Sequence, residues 1–527
     1  MKKFVRNLFS GYLLFIFLLL VELIVLLVLQ FGLDTIISNI INMEESSEEV
    51  ALITTLIYLF LRLVGFIVAL IIFFKIINKQ EDPEFKIPWI VGMLLLPFFF
   101  SLMFIIFGNH GLRKKDKIII NATKNAYNAH FRLSDNDKEG LDDAIGPFKY
   151  LNSITKLGPH RRCKITYFKK GEDFFPHLIE SLKNAKELIF MEFFIISDGK
   201  YWDEIKEILI EKAKSGVEVR LIYDDMGCSG TISSKTPKIL REYGIKCFKF
   251  HPFRPILSGI YNNRDHRKIV IIDHDMAFTG GMNLADEYGN VIERFGYWKD
   301  TMVKIEGSGI NDLITIFLQN YDLSAEEVSD YNKYLKHDYH KYIEEEGYVM
   351  SFGDGPGGID DALIGEQTYI NILNYAQEEV FISTPYLIPT YELLDALRNA
   401  SLRGVKVHLI VPGIPDKKLV YKVAESNFRF LLDAGVNIYR YTPGFNHMKT
   451  IIADKTLAMV GTINFDFRSL VHHFECASLI YKNSCLKDIY DDFIEMIDVS
   501  EKVPQNYVQK GSTRRLCSLI KIITPLL

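Results

Sequence analysis

Two stretches of the chain carry the same reactive groups at the same spacing: His266, Lys268 and Asp273, then His447, Lys449 and Asp454. In an extended strand, residues two apart project from one face, so an imidazole and an ammonium can converge on one ligand. That pair suits a phosphate diester. The lysine supplies positive charge and donors for the phosphoryl oxygens, and the imidazole serves as nucleophile or as acid. Each motif runs into a glycine-containing turn, Thr279-Gly-Gly-Met-Asn283 and Val460-Gly-Thr-Ile-Asn464. There the backbone can approach a ligand closely, and Asn283 and Asn464 offer neutral amide donors for phosphate binding. One His-x-Lys on an amphipathic strand is ordinary surface; two copies in register point to a site.

The elements that must position these groups are repeated as well. Glu187-Leu-Ile-Phe-Met-Glu192 is a short apolar strand, Trp202 to Lys214 has helical spacing, and Gly216-Val-Glu-Val-Arg-Leu-Ile-Tyr223 is a second buried strand. Strand, helix and strand in that order predict a βαβ unit with parallel strands. Glu379-Val-Phe-Ile-Ser383 and Arg403-Gly-Val-Lys-Val-His-Leu-Ile-Val411 answer the two strands, and Ala434-Gly-Val-Asn-Ile-Tyr439 answers Tyr243-Gly-Ile-Lys-Cys-Phe248. Two copies of one lobe are the simplest reading.

With 527 residues the chain has room for two or three globular units. Its 61 Lys+Arg against 66 Asp+Glu leave no basic excess, which argues against a nucleic-acid partner and for lipids or small molecules. The six cysteines form no Cys-x-x-Cys pair, so neither a zinc site nor a disulfide framework is expected. No Walker A loop is present.

The N-terminal residues 1–110 read as a transmembrane segment, with spans at about 12–33, 51–74 and 87–107. Glu22 and Arg62 sit near the middle of two spans and are expected to face each other. This makes the chain a multi-pass protein of the cell membrane. Lys2, Lys3 and Arg6 favour one orientation, while Arg113, Lys114, Lys115 and Lys117 favour the other, so the face of the remaining chain stays open. Residues 111–160 form a polar connection, 161–323 a first lobe, 324–347 an acidic inter-lobe segment, 348–510 a second lobe and 511–527 an amphipathic tail. His337 and His340 in the inter-lobe segment read as a solvated helix face. In the tail, Arg514, Arg515 and Lys521 alternate with Leu516, Leu519, Ile520, Ile522 and Ile523, a pattern for the headgroup level of an anionic lipid membrane.

On both His-x-Lys-x4-Asp motifs, together with Tyr297-Trp-Lys-Asp300, Ser383-Thr-Pro-Tyr386, Gly461-Thr-Ile-Asn-Phe-Asp466 and Arg468-Ser469, the chain resembles the phospholipase D superfamily and, within it, the bacterial cardiolipin synthases. The resemblance implies an α/β fold: two tandem phospholipase D-like α/β/α lobes sharing one active site, preceded here by about three transmembrane helices. It implies transfer of a phosphatidyl group between two phosphatidylglycerol molecules, giving cardiolipin and glycerol through a phosphatidyl-histidine intermediate. By superfamily precedent His266 is then the nucleophile and His447 the acid and base, an order that the nearly symmetric motifs leave open; Lys268, Asp273, Lys449 and Asp454 complete the catalytic set, the two aspartates equally able to brace the strand-to-turn geometry. A histidine in such a role needs a carboxylate on its second ring nitrogen. By position after each motif, Asp300 is expected beside His266 and Glu475 beside His447.

No metal or other cofactor is expected, because lysines and amides already cover the phosphate charge. Asp265 and His473 depart from the family pattern, each standing where asparagine is usual. A phospholipid hydrolase of the same superfamily differs only in the acceptor, water in place of an alcohol. A catalytically silent scaffold would carry a damaged motif, and both motifs are intact. The oligomeric state stays open.

Overall fold

Leu188-Ile-Phe-Met-Glu-Phe193 is buried at every position, the burial of a strand covered on both faces. It is the hub of a seven-stranded sheet in the order Lys164–Phe168, Met302–Glu306, Met276–Gly280, Lys268–Ile272, Leu188–Phe193, Glu218–Asp224, Lys246–Phe250. The computed structural model of the chain describes residues 48–80, 83–108, 111–112, 114–130, 145–252, 262–336, 345–356 and 362–524. Leu188–Phe193 runs parallel to Glu218–Asp224, as the helix Lys200–Lys214 between them requires, and antiparallel to Lys268–Ile272.

The second lobe repeats this order strand for strand: Tyr348–Asp354, His473–Tyr481, Leu457–Gly461, Thr450–Ala453, Glu379–Ser383, Lys406–Pro412, Asn437–Tyr441. Its sheet gains an extra strand at each edge, His160–Arg161 on Tyr348–Asp354 and Ser500–Lys502 on Asn437–Tyr441. The helix Ile310–Ala325, buried along most of its length, packs on strands of both sheets.

Two expected connectors carry more structure than their polarity suggested. Residues 111–160 include the helix Lys114–His130, whose Ile119 and Ile120 are buried with Phe250, Leu323 and Phe474. They also include Ile145–Thr155, which buries Phe148 and Leu151. In the inter-lobe segment, Tyr334 docks on the first lobe, where Arg220 lies over the rings of Phe190, Tyr321 and Tyr334. His337 and His340 lie outside the described residues.

The expected membrane segment needs correction. The span at 12–33, with Glu22 and hence its pairing with Arg62, lies outside the described residues. The span at 87–107 is broken. Leu96 takes φ −138° and ψ 78°, because the residue before a proline is pushed out of helical space. The helices Pro83–Leu95 and Pro97–Phe107 on either side have 13 and 11 residues. At 1.5 Å per residue they are only about 20 and 17 Å long, against a hydrocarbon core of about 30 Å. The span at 51–74 falls in the helix Glu48–Ile77, which carries Glu48, Glu49, Arg62 and Lys75. Among the described residues no helix is long and apolar enough to cross a membrane. These helices instead gather Ile72, Ile76, Trp89 and Met93 into a small core of their own.

Between the lobes the central polar element is Arg267, fully buried. Its guanidinium donates to the carbonyls of Glu475 (3.0 Å), Ile316 (2.9 Å) and Asp354 (3.2 Å) and to Gln319 Oε1 (3.1 Å). Arg267→Leu strands these acceptors in the interior and is expected to cost about 3–5 kcal/mol. Chemical denaturation of the full chain checks this; an unchanged midpoint would contradict the clamp.

Candidate active site

Two short parallel strand pairs join the lobes at their centre. Arg264–Asp265 of the first lobe pairs with His473–Phe474 of the second, with Asp265 opposite Phe474. Gly444–Asn446 of the second pairs with Tyr297–Lys299 of the first, with Asn446 opposite Lys299. In a parallel pair the next residues along each chain are also neighbours, so His266 meets Glu475 and His447 meets Asp300. The backbone seals both steps: His266 N–H donates to Phe474 O at 2.8 Å, and His447 N–H to Lys299 O at 2.7 Å.

The side chains follow. His266 Nδ1 lies 2.9 Å from Glu475 Oε2, and His447 Nδ1 lies 2.6 Å from Asp300 Oδ2. The expected pairing, His266 with Asp300 and His447 with Glu475, is therefore reversed: each histidine takes its carboxylate from the other lobe. Where the carboxylate holds the Nδ1 proton, as Glu475 does for His266, the Nε2 lone pair is left for chemistry; His447 Nδ1 lies between Asp300 and Lys449 Nζ, the latter at 2.7 Å.

The two carboxylates differ. Burial works to raise the Glu475 pKa, but His266 and His473 outweigh it and hold the group well below the usual carboxylate range. Glu475 also accepts from Thr462 Oγ1, and from Ser469 Oγ at 2.5 Å. Thr462 and Ser469 were missed as functional residues, although the motifs that contain them were visible. Asp300 is pushed up to about 6 by burial, against the pull of Lys449 and the Thr301 N–H. Burial also lowers both imidazoles, His266 to about 3 and His447 well below its ordinary value. Both are neutral in the free site at pH 7.

The motif lysines lie inside the same pocket of charge. Lys268 donates to the carbonyl of its own His266, with its ammonium 5.5 Å from the Phe194 ring centre. Lys449 donates to the carbonyl of His447 and lies 3.8 Å from Asp300. Burial lowers Lys268 to about 8 and Lys449 to about 7. Phe194 flanks His266, while Tyr288, Trp298 and Phe445 wall His447.

Three expected site residues are placed in framework roles. Asp273 accepts the N–H groups of Lys186, Glu187 and Leu188, and Asp454 those of Gln377, Glu378 and Glu379. Each carboxylate thus ties the turn after its motif strand to the start of the neighbouring strand, and neither is free for the reaction. Asn283 Oδ1 accepts from Ile195 N–H, which fixes the amide so that Nδ2 donates to Tyr288 OH at 2.6 Å. One of its two N–H donors is used there. Asn464 differs, with a buried Oδ1 that has no protein partner.

A cardiolipin synthase 2 of Bacillus anthracis is 32% identical over 472 residues, 88% of this chain and 90% of that protein. The family model for the cardiolipin synthase, PLD-like domain matches residues 178–295 and 369–497, which hold the two motifs. The chain belongs to the cardiolipin synthase family. An uncharacterized protein of Streptococcus mutans is 41% identical over 458 residues, 86% of this chain and 98% of that protein. In fold the chain is similar to the crystal structure of a phosphatidylserine synthase of Haemophilus influenzae, with TM-score 0.56 and 14% identity over 72% of this chain and 100% of that one.

Within the cardiolipin synthase family pattern, Asp265 adds no exposed charge. It faces the buried Glu192, which burial drives well above the carboxylate range, and burial raises Asp265 itself to about 7. A proton shared between the two removes one negative charge behind the site.

Lys449 must be charged to hold a phosphate, and in the free site its proton leaves as pH rises through about 7. Because kcat/KM reports the free enzyme, it is expected to fall with rising pH above about 7. Lys449→Arg, charged throughout, should flatten that limb even if the rate drops. A wild-type profile flat from about pH 6.5 to 9 would contradict the assignment.

Proposed function

We propose that the chain makes cardiolipin from two molecules of phosphatidylglycerol. The observation that carries the mechanism is the crossed pairing, which builds two carboxylate-held imidazoles into one site.

His266 Nε2 attacks the phosphorus of the first phosphatidylglycerol. The bond to the glycerol oxygen breaks, and His447, protonated once the anionic phosphate is bound, gives its Nε2 proton to the departing glycerol. The phosphatidyl group is left on His266. A hydroxyl of the second phosphatidylglycerol then loses its proton to His447 and attacks phosphorus, the P–N bond breaks, and cardiolipin leaves with His266 restored. Lys268 and Lys449 hold the phosphoryl oxygens, and the Asn464 NH2 is a further donor to them in this scheme.

The assignment of His266 as nucleophile rests on its partner. Glu475 is the more firmly ionised of the two carboxylates, which suits an imidazole that takes on positive charge as it attacks. Both substrates are lipids, so the site works at the cell membrane. The C-terminal helix Gly511–Ile523 supports contact with an anionic bilayer, since it buries Cys517 and exposes Leu516 and Leu519 beside Arg514 and Arg515.

The test is full-length protein with phosphatidylglycerol vesicles, following lipids and free glycerol. Cardiolipin and glycerol are expected to rise in equal amounts, and His266→Ala and His447→Ala each to lower the rate by at least about 1000-fold. Phosphatidic acid in place of cardiolipin would make the acceptor water and the protein a hydrolase.

A further inference from the structure

A third imidazole stands beside His266. The ring centres of His473 and His266 are 5.4 Å apart, and His473 Nδ1 lies 3.5 Å from Glu475 Oε1. Each of the three residues can offer one ligand atom such that all lie within 4.8 Å of one another. His266 is 6% exposed, His473 9% and Glu475 0%. His473 Nδ1 is buried and makes no hydrogen bond with acceptable geometry. The catalytic chemistry proposed above gives His473 no task.

Two imidazole nitrogens and one carboxylate oxygen are a ligand set for Zn2+ or Co2+. Such ions prefer four ligands at about 2.0–2.2 Å. The set is poor for Mg2+ and Ca2+, which favour oxygen shells. The ligand atoms lie within 4.8 Å of one another and close around the ion by small side-chain rotations. Lys268 is the nearby opposing charge.

We infer that His266, His473 and Glu475 form an inhibitory site for a divalent transition-metal ion of the zinc type. Binding displaces the proton shared by His266 and Glu475 to solvent and ties both groups to the metal. The imidazole is then no longer held for attack on phosphorus, so the metal-loaded protein is silent until a chelator removes the ion. The binding half of this inference stands on geometry alone; the silencing half rests on the proposed phosphatidyl transfer.

The test uses purified full-length protein with Co2+ and Zn2+ alone as probes, free of phosphate. Co2+ is followed by its visible absorption and Zn2+ by competition with a chromophoric chelator. One ion per chain is expected, with His473→Asn weakening Zn2+ binding at least tenfold. Zinc K-edge absorption of the wild-type protein provides a measurement that needs no variant, with a nitrogen and oxygen shell containing two imidazoles expected. No saturable site, equal affinity in His473→Asn, or a shell with sulfur ligands would overturn the site. Turnover of phosphatidylglycerol is expected to be lost with bound Zn2+ and restored by EDTA; full turnover with the site loaded overturns the silencing. A protein that binds Zn2+ through His473 but never turns over phosphatidylglycerol would leave the metal site standing and remove the proposed function instead.

Discussion

The exchange of carboxylates between the two lobes is the constraint on which the rest of the site depends. Neither lobe alone contains a histidine with its orienting group, so the chemistry exists only where Arg264–Asp265 meets His473–Phe474 and Gly444–Asn446 meets Tyr297–Lys299. These contacts are only two or three residues long and cannot hold two lobes in register by themselves. The surrounding buried polar groups supply the rest. Arg267 reaches from the first motif to Glu475 and Asp354 in the second lobe. On the other side of the pseudo-symmetric site, Lys299 sits against Asp492 at 2.7 Å.

Burial then sets the charge state. A desolvated imidazole resists protonation and a desolvated carboxyl resists ionisation, yet Glu475 stays ionised because His266 and His473 outweigh the burial. Asp300 has fewer donors and sits closer to neutrality. Two sites with nearly the same sequence thus acquire different electrostatics, the condition for two histidines to divide nucleophile and acid–base work between them. The same burial keeps Lys268 and Lys449 close to losing their protons until an anion arrives.

Much of this was legible from the residues. The repeated βαβ pattern predicts the lobes because buried parallel strands need continuous apolar runs, and the strand orders of the two sheets match one for one. Asp300 and Glu475 stood out by position. Their partners did not, because spacing along a chain reports neighbours within a lobe, whereas the register of two very short strands between lobes decides which histidine each one meets. For Asp273 and Asp454 the sequence allowed both a catalytic and a bracing role, and the three backbone donors that each accepts decide for bracing. The apolar run at 87–107 shows the limit of counting hydrophobic residues, since Pro97 alone divides it. Ile118-Ile-Ile120, inside an otherwise polar stretch, was the available sign that 111–160 docks on the lobes.

The crossed pairing is tested most directly by the pre-steady-state burst with a phosphatidyl ester of p-nitrophenol, whose leaving group departs without a proton. Formation of the intermediate then needs only the nucleophile and its own carboxylate, and resolution needs the other pair. Asp300→Asn is expected to release about one equivalent of nitrophenol per site and then stall, whereas Glu475→Gln should give no burst. A burst retained in Glu475→Gln and lost in Asp300→Asn would contradict the pairing of His266 with Glu475 as the nucleophilic unit.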